Sequence, residues 1–316
     1  MRWARILREL GHGVEIEEEY RGKPCDLLVA LHARRSADSV SRFRRAHPRA
    51  PLVVALTGTD LYRDLRRSRA ARKSLELATR IIVLQPKGIE EIPARLRAKG
   101  RVIFQSASAP PRRRPAPAKR LRVFDVCVLG HLRPVKDPFR TAAAARRLPD
   151  SSRIQILQVG GALSPAMARQ ARAEEARNPR YRWFGELPGG RARRILARSK
   201  LLVVTSKMEG GANVIMEALA SGVPVISSRI SGSVGILGEN YPGYFPVGDT
   251  RRLRLLLSRA ETDPDFYAQL RRSCERLAKL ADPARERRAW AALLRELGLP
   301  ASTFNRPSSS PLLPLP

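Results

Sequence analysis

Glu209-Gly-Gly-Ala-Asn-Val-Ile-Met-Glu217, running on as Ala-Leu-Ala-Ser-Gly-Val-Pro-Val-Ile-Ser-Ser228, is the stretch that decides the fold of this 316-residue chain. Seven residues separate its two carboxylates, and a glycine pair follows the first. The pattern predicts a strand over 201–205, a tight glycine turn, an apolar helix over about 213–221 and a second strand over 223–227. Gly222-Val-Pro224 ends the helix. A glycine turn that opens a helix aims free backbone N–H groups and the positive end of the helix dipole at whatever lies in front of it. Such a unit binds phosphate. Glu209 stands at the lip of the resulting crevice, and Glu217 about one turn further in, where a carboxylate accepts hydrogen bonds from a diol. The constellation suits a nucleotide-sugar, with its diphosphate on Gly210, Gly211, Ala212, Asn213 and Val214, its ribose on Glu217 and its sugar near Glu209.

Outward from this unit, apolar β-rich runs alternate with helical patterns along most of the chain. That is how parallel sheets built from βα units read in sequence. Strands are expected in the first half at 14–17, 26–31, 52–56, 81–84 and 102–104, with helices over 37–46, 67–77 and 88–96. The second half repeats the alternation, with strands at 123–129, 154–159, 181–184, 201–205, 223–227 and 243–246. Between the halves, residues 107–121 are rich in proline and basic residues and read as a linker. The expected class is therefore α/β, with two Rossmann-like domains, 1–106 and 122–282, facing a crevice. A terminal amphipathic helix occupies 283–299, and the Pro/Ser-rich tail 300–316 is expected to be disordered. Residues 1–10 pattern as an amphipathic helix, whereas a doubly wound domain opens on a central strand and a glycine turn. The expectation is a first domain lacking its N-terminal strand, through a start assigned too far downstream or else a genuinely shortened domain, with the first explanation favoured.

Composition narrows the function. No apolar run approaches the roughly 20 residues of a membrane helix. Cys25, Cys127 and Cys274 form no C-x-x-C pair, which points to a reduced, cytoplasmic protein. The net charge of +31 invites a nucleic-acid reading. Its arginines are spread through every helix, however, and no aromatic-interleaved strand is present, so nucleic acid is not the expected partner. No His cluster calls for a metal.

Other strand-end turns fall on the same edge. Gly130-His-Leu-Arg-Pro-Val-Lys136-Asp137 is a basic turn after the first strand of the second domain, and Gly160-Gly161 and Phe184-Gly185 follow the next two. In the first domain, Leu56-Thr-Gly-Thr-Asp60-Leu-Tyr62 ends a strand at the crevice. Asp60, beside Thr59, fits three roles: general base, acceptor-orienting group, or cap of the following helix. His32, with Arg34 and Arg35 beside it, fits an anionic acceptor or a purely structural turn.

Ser206, Glu209, Gly210, Glu217, Ala218, Ala220, Gly222, Pro224 and Val225 together resemble the signature of retaining GT-B glycosyltransferases of the family 4 type. The resemblance implies a UDP-sugar as co-substrate, with no further cofactor, and a terminal helix that crosses back onto the first domain. It also implies that a cation pair in the 130–137 turn steadies the departing diphosphate. Lys136 matches the family lysine; His131 stands where the family has arginine, with Arg133 two residues on. Gly160 would flank the nucleotide base.

Five runs resemble a narrower branch, the selenosugar synthases of selenoneine biosynthesis. They are 28–36, 56–62, 130–137, 208–213 and 232–245. That resemblance implies transfer from UDP-glucose or UDP-N-acetylglucosamine to selenophosphate. The alternatives are a carbohydrate or lipid acceptor, or a basic nucleic-acid-binding protein.

Overall fold

The computed structural model describes residues 2–110 and 123–299. Two parallel sheets face each other across a crevice. The first carries β1 (Leu28–Leu31), β2 (Leu52–Ala55), β3 (Arg80–Val83) and β4 (Gly100–Val102), hydrogen-bonded in that order. Its helices are α1 (Arg2–Glu9), α2 (Ala37–Ala46), α3 (Leu65–Arg67), α4 (Arg69–Leu77) and α5 (Lys87–Glu91). Side chains alternate across a strand. Leu52 and Val54 thus pack with Val40, Phe43 and Leu75, while Val53 and Ala55 pack with Ile6, Leu7 and Trp290. Both faces are covered, as a parallel sheet requires.

Two expectations fail here for identifiable reasons. Residues 14–17 form no strand, although Val14 and Ile16 alternate with glutamates. Among the described residues nothing lies beside them to complete a ladder, and Ile16 is 50% exposed. Alternation without a hydrogen-bonding neighbour does not make a strand. The single helix expected over 88–96 is two pieces, α5 and a 3-10 turn over Ala94–Lys99. Pro93 separates them, since the residue before proline is pushed out of the helical region.

The second sheet comprises β5 (Phe124–Leu129), β6 (Ile154–Val159), β7 (Tyr181–Trp183), β8 (Leu201–Val204), β9 (Val225–Ser228) and β10 (Tyr244–Phe245). Its order is β10-β9-β8-β5-β6-β7, all parallel. The order reverses between β5 and β8. That is the switch point, where the loops after the two strands part in opposite directions and leave a crevice. The helices are α6 (Arg140–Ala145), α7 (Pro165–Arg177), α8 (Gly189–Arg198), α9 (Asn213–Ser221), α10 (Ser231–Leu237), α11 (Thr250–Thr262), α12 (Pro264–Leu277) and α13 (Pro283–Glu296). Strand β9 begins two residues later than expected. The N–H of Val223 turns back to the Ala218 carbonyl at 2.9 Å and closes α9, with Gly222 left-handed at φ 68°.

Helix α13 leaves the second half of the chain and packs on the first sheet. Trp290 is fully buried there and meets Trp3 edge-on at 5.0 Å. Burial of that size is worth about 3–5 kcal/mol against alanine. Glu286 accepts from Trp3 Nε1 at 2.7 Å and from the Ser106 backbone N–H at 2.8 Å. At the far end of the helix, Arg101 and Arg80 bond Glu296, and hold its carboxyl down at about 2. The outgoing and returning connections run side by side, Ala107 donating to the Ala281 carbonyl at 3.0 Å. The linker residues 111–121 and the tail 300–316 lie outside the described residues.

Candidate functional site

The loops after β5 and β8 build the centre of the site. Leu129-Gly130 leads into a 3-10 turn over Pro134–Lys136, which the end of β8 holds in place. The Thr205 hydroxyl donates toward the carbonyls of Lys136 (2.8 Å) and Asp137 (2.9 Å), and Lys207 N–H donates to the Val135 carbonyl at 2.8 Å. With its backbone fixed, Lys136 sends its ammonium to Glu209, which also accepts from the Ser206 hydroxyl at 2.6 Å. Both charged side chains are mostly shielded, 20% and 12% exposed. Arg133 and His131, on the outer part of the same turn, are exposed, and the Arg133 side chain has no partner among the described residues.

Helix α9 begins at Asn213, directly after the glycine pair. Ala212 stands at its N-cap and offers no side-chain oxygen. The Ile215 N–H bonds the Ala212 carbonyl at 2.8 Å, and the N–H groups of Asn213 and Val214 remain available to an anion. Gly130, Lys136, Ser206, Glu209 and Val214 line one narrow cavity of about 20 Å³, room for a single water. Glu217 is not among its lining residues. It lies half-buried, and burial pushes its carboxyl up against the opposing pull of Arg193 and Arg2.

Two glycines in this region are set by close approach. A Cβ on Gly210 would stand 2.4 Å from the Thr57 carbonyl oxygen of the first domain. A Cβ on Gly160, at φ 145°, would stand 2.1 Å from the Gly130 carbonyl oxygen. Gly160 thus lets two strand-end turns touch, and Gly210 lets the two domains touch.

On the first-sheet rim the charged residues are engaged with one another. Asp60 is closed to solvent: its oxygens accept from the N–H groups of Thr57 (2.9 Å), Gly58 (2.9 Å) and Ala33 (3.0 Å). It clasps the loops after β1 and β2. No side-chain cap bond forms at the start of the Asp60–Asp64 turn. His32 is buried at φ 78°. Its Nδ1 accepts from Arg35 N–H at 3.3 Å, which leaves Nε2 to donate to Thr59 Oγ1 at 3.2 Å. Arg34 bonds Asp64 at 2.8 Å. Burial alone would push the Asp64 carboxyl up, yet the bonds from Arg63 and Arg34 hold it below its ordinary value. The Arg35 side chain alone of this group is exposed without a partner among the described residues.

Residues 111–279 match the description "Glycosyl transferases group 1", more than half of the chain. The chain belongs to that family. Solved structures agree on the fold. The Anabaena protein Alr3699/HepE, in complex with UDP and glucose, superimposes with a TM-score of 0.70 at 18% identity, over 86% of this chain and 78% of that one. Sucrose-phosphate synthase from Thermosynechococcus elongatus gives 0.68 at 20% identity, over 86% and 74%. A UDP-forming α,α-trehalose-phosphate synthase from Burkholderia vietnamiensis gives 0.71 at 14%, over 87% and 73%.

In this group 1 glycosyltransferase the structure adds residues that the sequence did not single out. Thr205 pins the lysine turn. Gln158, 1% exposed, leaves its Oε1 without a partner in the wall of the Lys136–Glu209 cavity. A polar residue near the end of the strand run 154–159, which also holds Gln155, was the available signal. Gln85, fully buried, donates to the Tyr62 hydroxyl at 2.9 Å and sits where a side chain on Gly235 of α10 would be. Burial, with Glu91 and Glu209 adding to it, pushes the Tyr62 phenol up. No helix among the described residues is long and apolar enough to cross a membrane, and no group of acidic, histidine or cysteine side chains there could hold a metal ion.

Proposed function

We propose that this glycosyltransferase moves a sugar from UDP-glucose or UDP-N-acetylglucosamine to selenophosphate in the cytoplasm. The observation that carries the donor half is the uncapped N-terminus of α9 at the switch point, opposite the Lys136–Glu209 pair. In this reading the diphosphate takes the place that Glu209 holds on Lys136. Arg133, free on the same turn, swings in as the second cation. Freed from the lysine, Glu209 turns to the sugar hydroxyls, with Ser206 steadying it, and Glu217 takes the ribose.

The present arrangement is closed, with little free volume around Lys136. Binding of the donor therefore separates Lys136 from Glu209 and draws the Thr57–Gly58 loop off Gly210. In the transfer itself, the bond from the anomeric carbon to the diphosphate oxygen breaks, and its electrons leave with UDP. A selenium lone pair forms the new carbon–selenium bond. Charge grows on the leaving oxygens, so a cation fixed beforehand by Thr205 stabilises the transition state more than the ground state. Selenium is already a strong nucleophile, and no general base is needed. The acceptor half is supported by the five sequence runs that resemble those of the selenosugar synthases and by Arg35, a cation with no partner among the described residues, on the opposite rim.

Two measurements separate the halves. Calorimetric titration with UDP and the two UDP-sugars should show binding that weakens in Glu217→Ala; equal affinity would remove Glu217 from the ribose, and no binding would end the donor reading. Incubation with a UDP-sugar and enzymatically generated selenophosphate should give a hexose or N-acetylhexosamine carrying the selenium isotope pattern. UDP release that requires a carbohydrate or lipid acceptor, with selenophosphate inert, would replace the acceptor and keep the donor.

A further inference from the structure

A parallel sheet is ordinarily covered on both faces. Among the described residues, one corner of the second sheet is not. Helix α8 packs chiefly against β5 and α9. Between it and the sheet lies an open cleft of about 450 Å³, within the size range of small-molecule sites. It shares no lining residue with the Lys136–Glu209 cavity.

On the sheet side of the cleft Val123, Leu157 and Phe184 give apolar surface beside Asp125 and Gln155, and Leu187 and Ile195 add to it from the other side. The wall of the cleft is cationic. Arg191, Arg194 and Arg198 follow one another at helical spacing, so one face of α8 presents all three to the cleft, and Arg182 stacks over the Phe184 ring at 5.3 Å. Other arginines in this half of the chain pair with carboxylates, Arg140 with Asp137, Arg153 with Glu261, Arg229 with Glu239 and Arg259 with Asp263, while those without such a partner among the described residues, such as Arg133, Arg169 and Arg252, do not line an apolar cleft of this size. None of the four cleft arginines has a carboxylate partner among the described residues. The one acidic residue in the lining, Asp125, is already engaged.

Clustered guanidinium groups repel one another, and they bind phosphate or carboxylate oxygens through paired N–H groups. Uncovered apolar surface gains by excluding water. One class of molecule satisfies both: a phosphate joined to an apolar body. We infer that this cleft is a second binding site, for an anionic amphipath such as an alkyl or prenyl phosphate. The site is independent of the transfer reaction proposed above, and its test does not rely on activity.

The full chain is titrated calorimetrically with decyl phosphate, decanol and inorganic phosphate, each below its critical micelle concentration where one applies. Decyl phosphate should bind at least tenfold more tightly than either control. The triple variant Arg191→Ala, Arg194→Ala, Arg198→Ala should weaken it at least tenfold and leave UDP affinity unchanged. A second variant, Leu157→Asp, places a repelling charge on the sheet side and should do the same. A charge-matched control, Arg169→Ala, Arg252→Ala, Arg272→Ala, takes exposed arginines from other faces and should bind decyl phosphate as the wild type does. Equal loss in the control would reduce the effect to net charge and overturn the site. So would inorganic phosphate binding as tightly as decyl phosphate, or displacement of decyl phosphate by a single-stranded oligonucleotide at lower concentration.

Discussion

Both rims of the crevice carry charged side chains, and they use them differently. On the second-sheet rim, Lys136 and Glu209 hold one another through a single contact, which the proposed donor would replace. On the first-sheet rim, Asp60 is tied to three backbone N–H groups from two loops, and Arg34 to Asp64. The first arrangement is exchangeable, because each partner is a side chain that can turn away. The second is fixed, because releasing Asp60 would leave buried donors unsatisfied. Charge at a crevice does not by itself mark chemistry; what matters is whether the partner can leave.

The largest effect that tests this contrast is at Lys136. Lys136→Ala should lower kcat by about 10²–10³, or roughly 2.7–4 kcal/mol in the barrier, with a smaller change in donor affinity. Steady-state rates at saturating donor read it, and a variant with full turnover would place the leaving-group cation elsewhere. On the opposite rim, Asp60→Asn puts an amide N–H against backbone donors. It should cost on the order of 2–3 kcal/mol of stability. Thermal unfolding should show that loss while the folded fraction keeps nearly its normal kcat. A large fall in kcat with unchanged stability would make Asp60 part of the chemistry.

A finer comparison lies between neighbours on the first rim. With selenophosphate as acceptor, Arg35→Ala should raise its KM about two- to fivefold, the scale of one exposed charge pair. Arg34→Ala should raise it less, because its guanidinium is committed to Asp64. Equal effects would mean that Asp64 releases Arg34 when the acceptor binds.

The smallest effect concerns Glu217, whose carboxyl burial pushes up. A raised carboxyl is penalised when ionised, so the penalty is present at neutral pH and disappears as pH falls through the raised value and below the ordinary one. Glu217→Gln should therefore unfold at a slightly higher temperature than wild type at pH 7, by about 1–2 °C. The difference should vanish near pH 4. A lower unfolding temperature at pH 7 would mean that Arg193 and Arg2 outweigh the burial.

Much of the architecture was legible in the sequence because it rests on local periodicity. The helix over Asn213–Ser221 and the strand over Ile154–Val159 fall where the apolar spacing puts them, and Gly222 closes the helix as a left-handed residue must. The switch-point turns were legible too, since glycines and a lysine after apolar strands are punctuation in the chain itself. The strand expected at 14–17 was not, because a strand exists only through the neighbour that bonds it.

The sequence alone determined that this chain builds two α/β units and carries a glycine turn, two spaced carboxylates and a lysine turn at strand ends. Each of those is a property of residues within a few positions of one another. Only the tertiary structure decided which charges were free. Asp60 was consumed by Ala33, and Arg34 by Asp64, through contacts that span about thirty residues of chain. Lys136 met Glu209 across more than seventy, held by Thr205 from a neighbouring strand. Which partner a side chain finds depends on how separate segments pack, and spacing along the chain does not encode it.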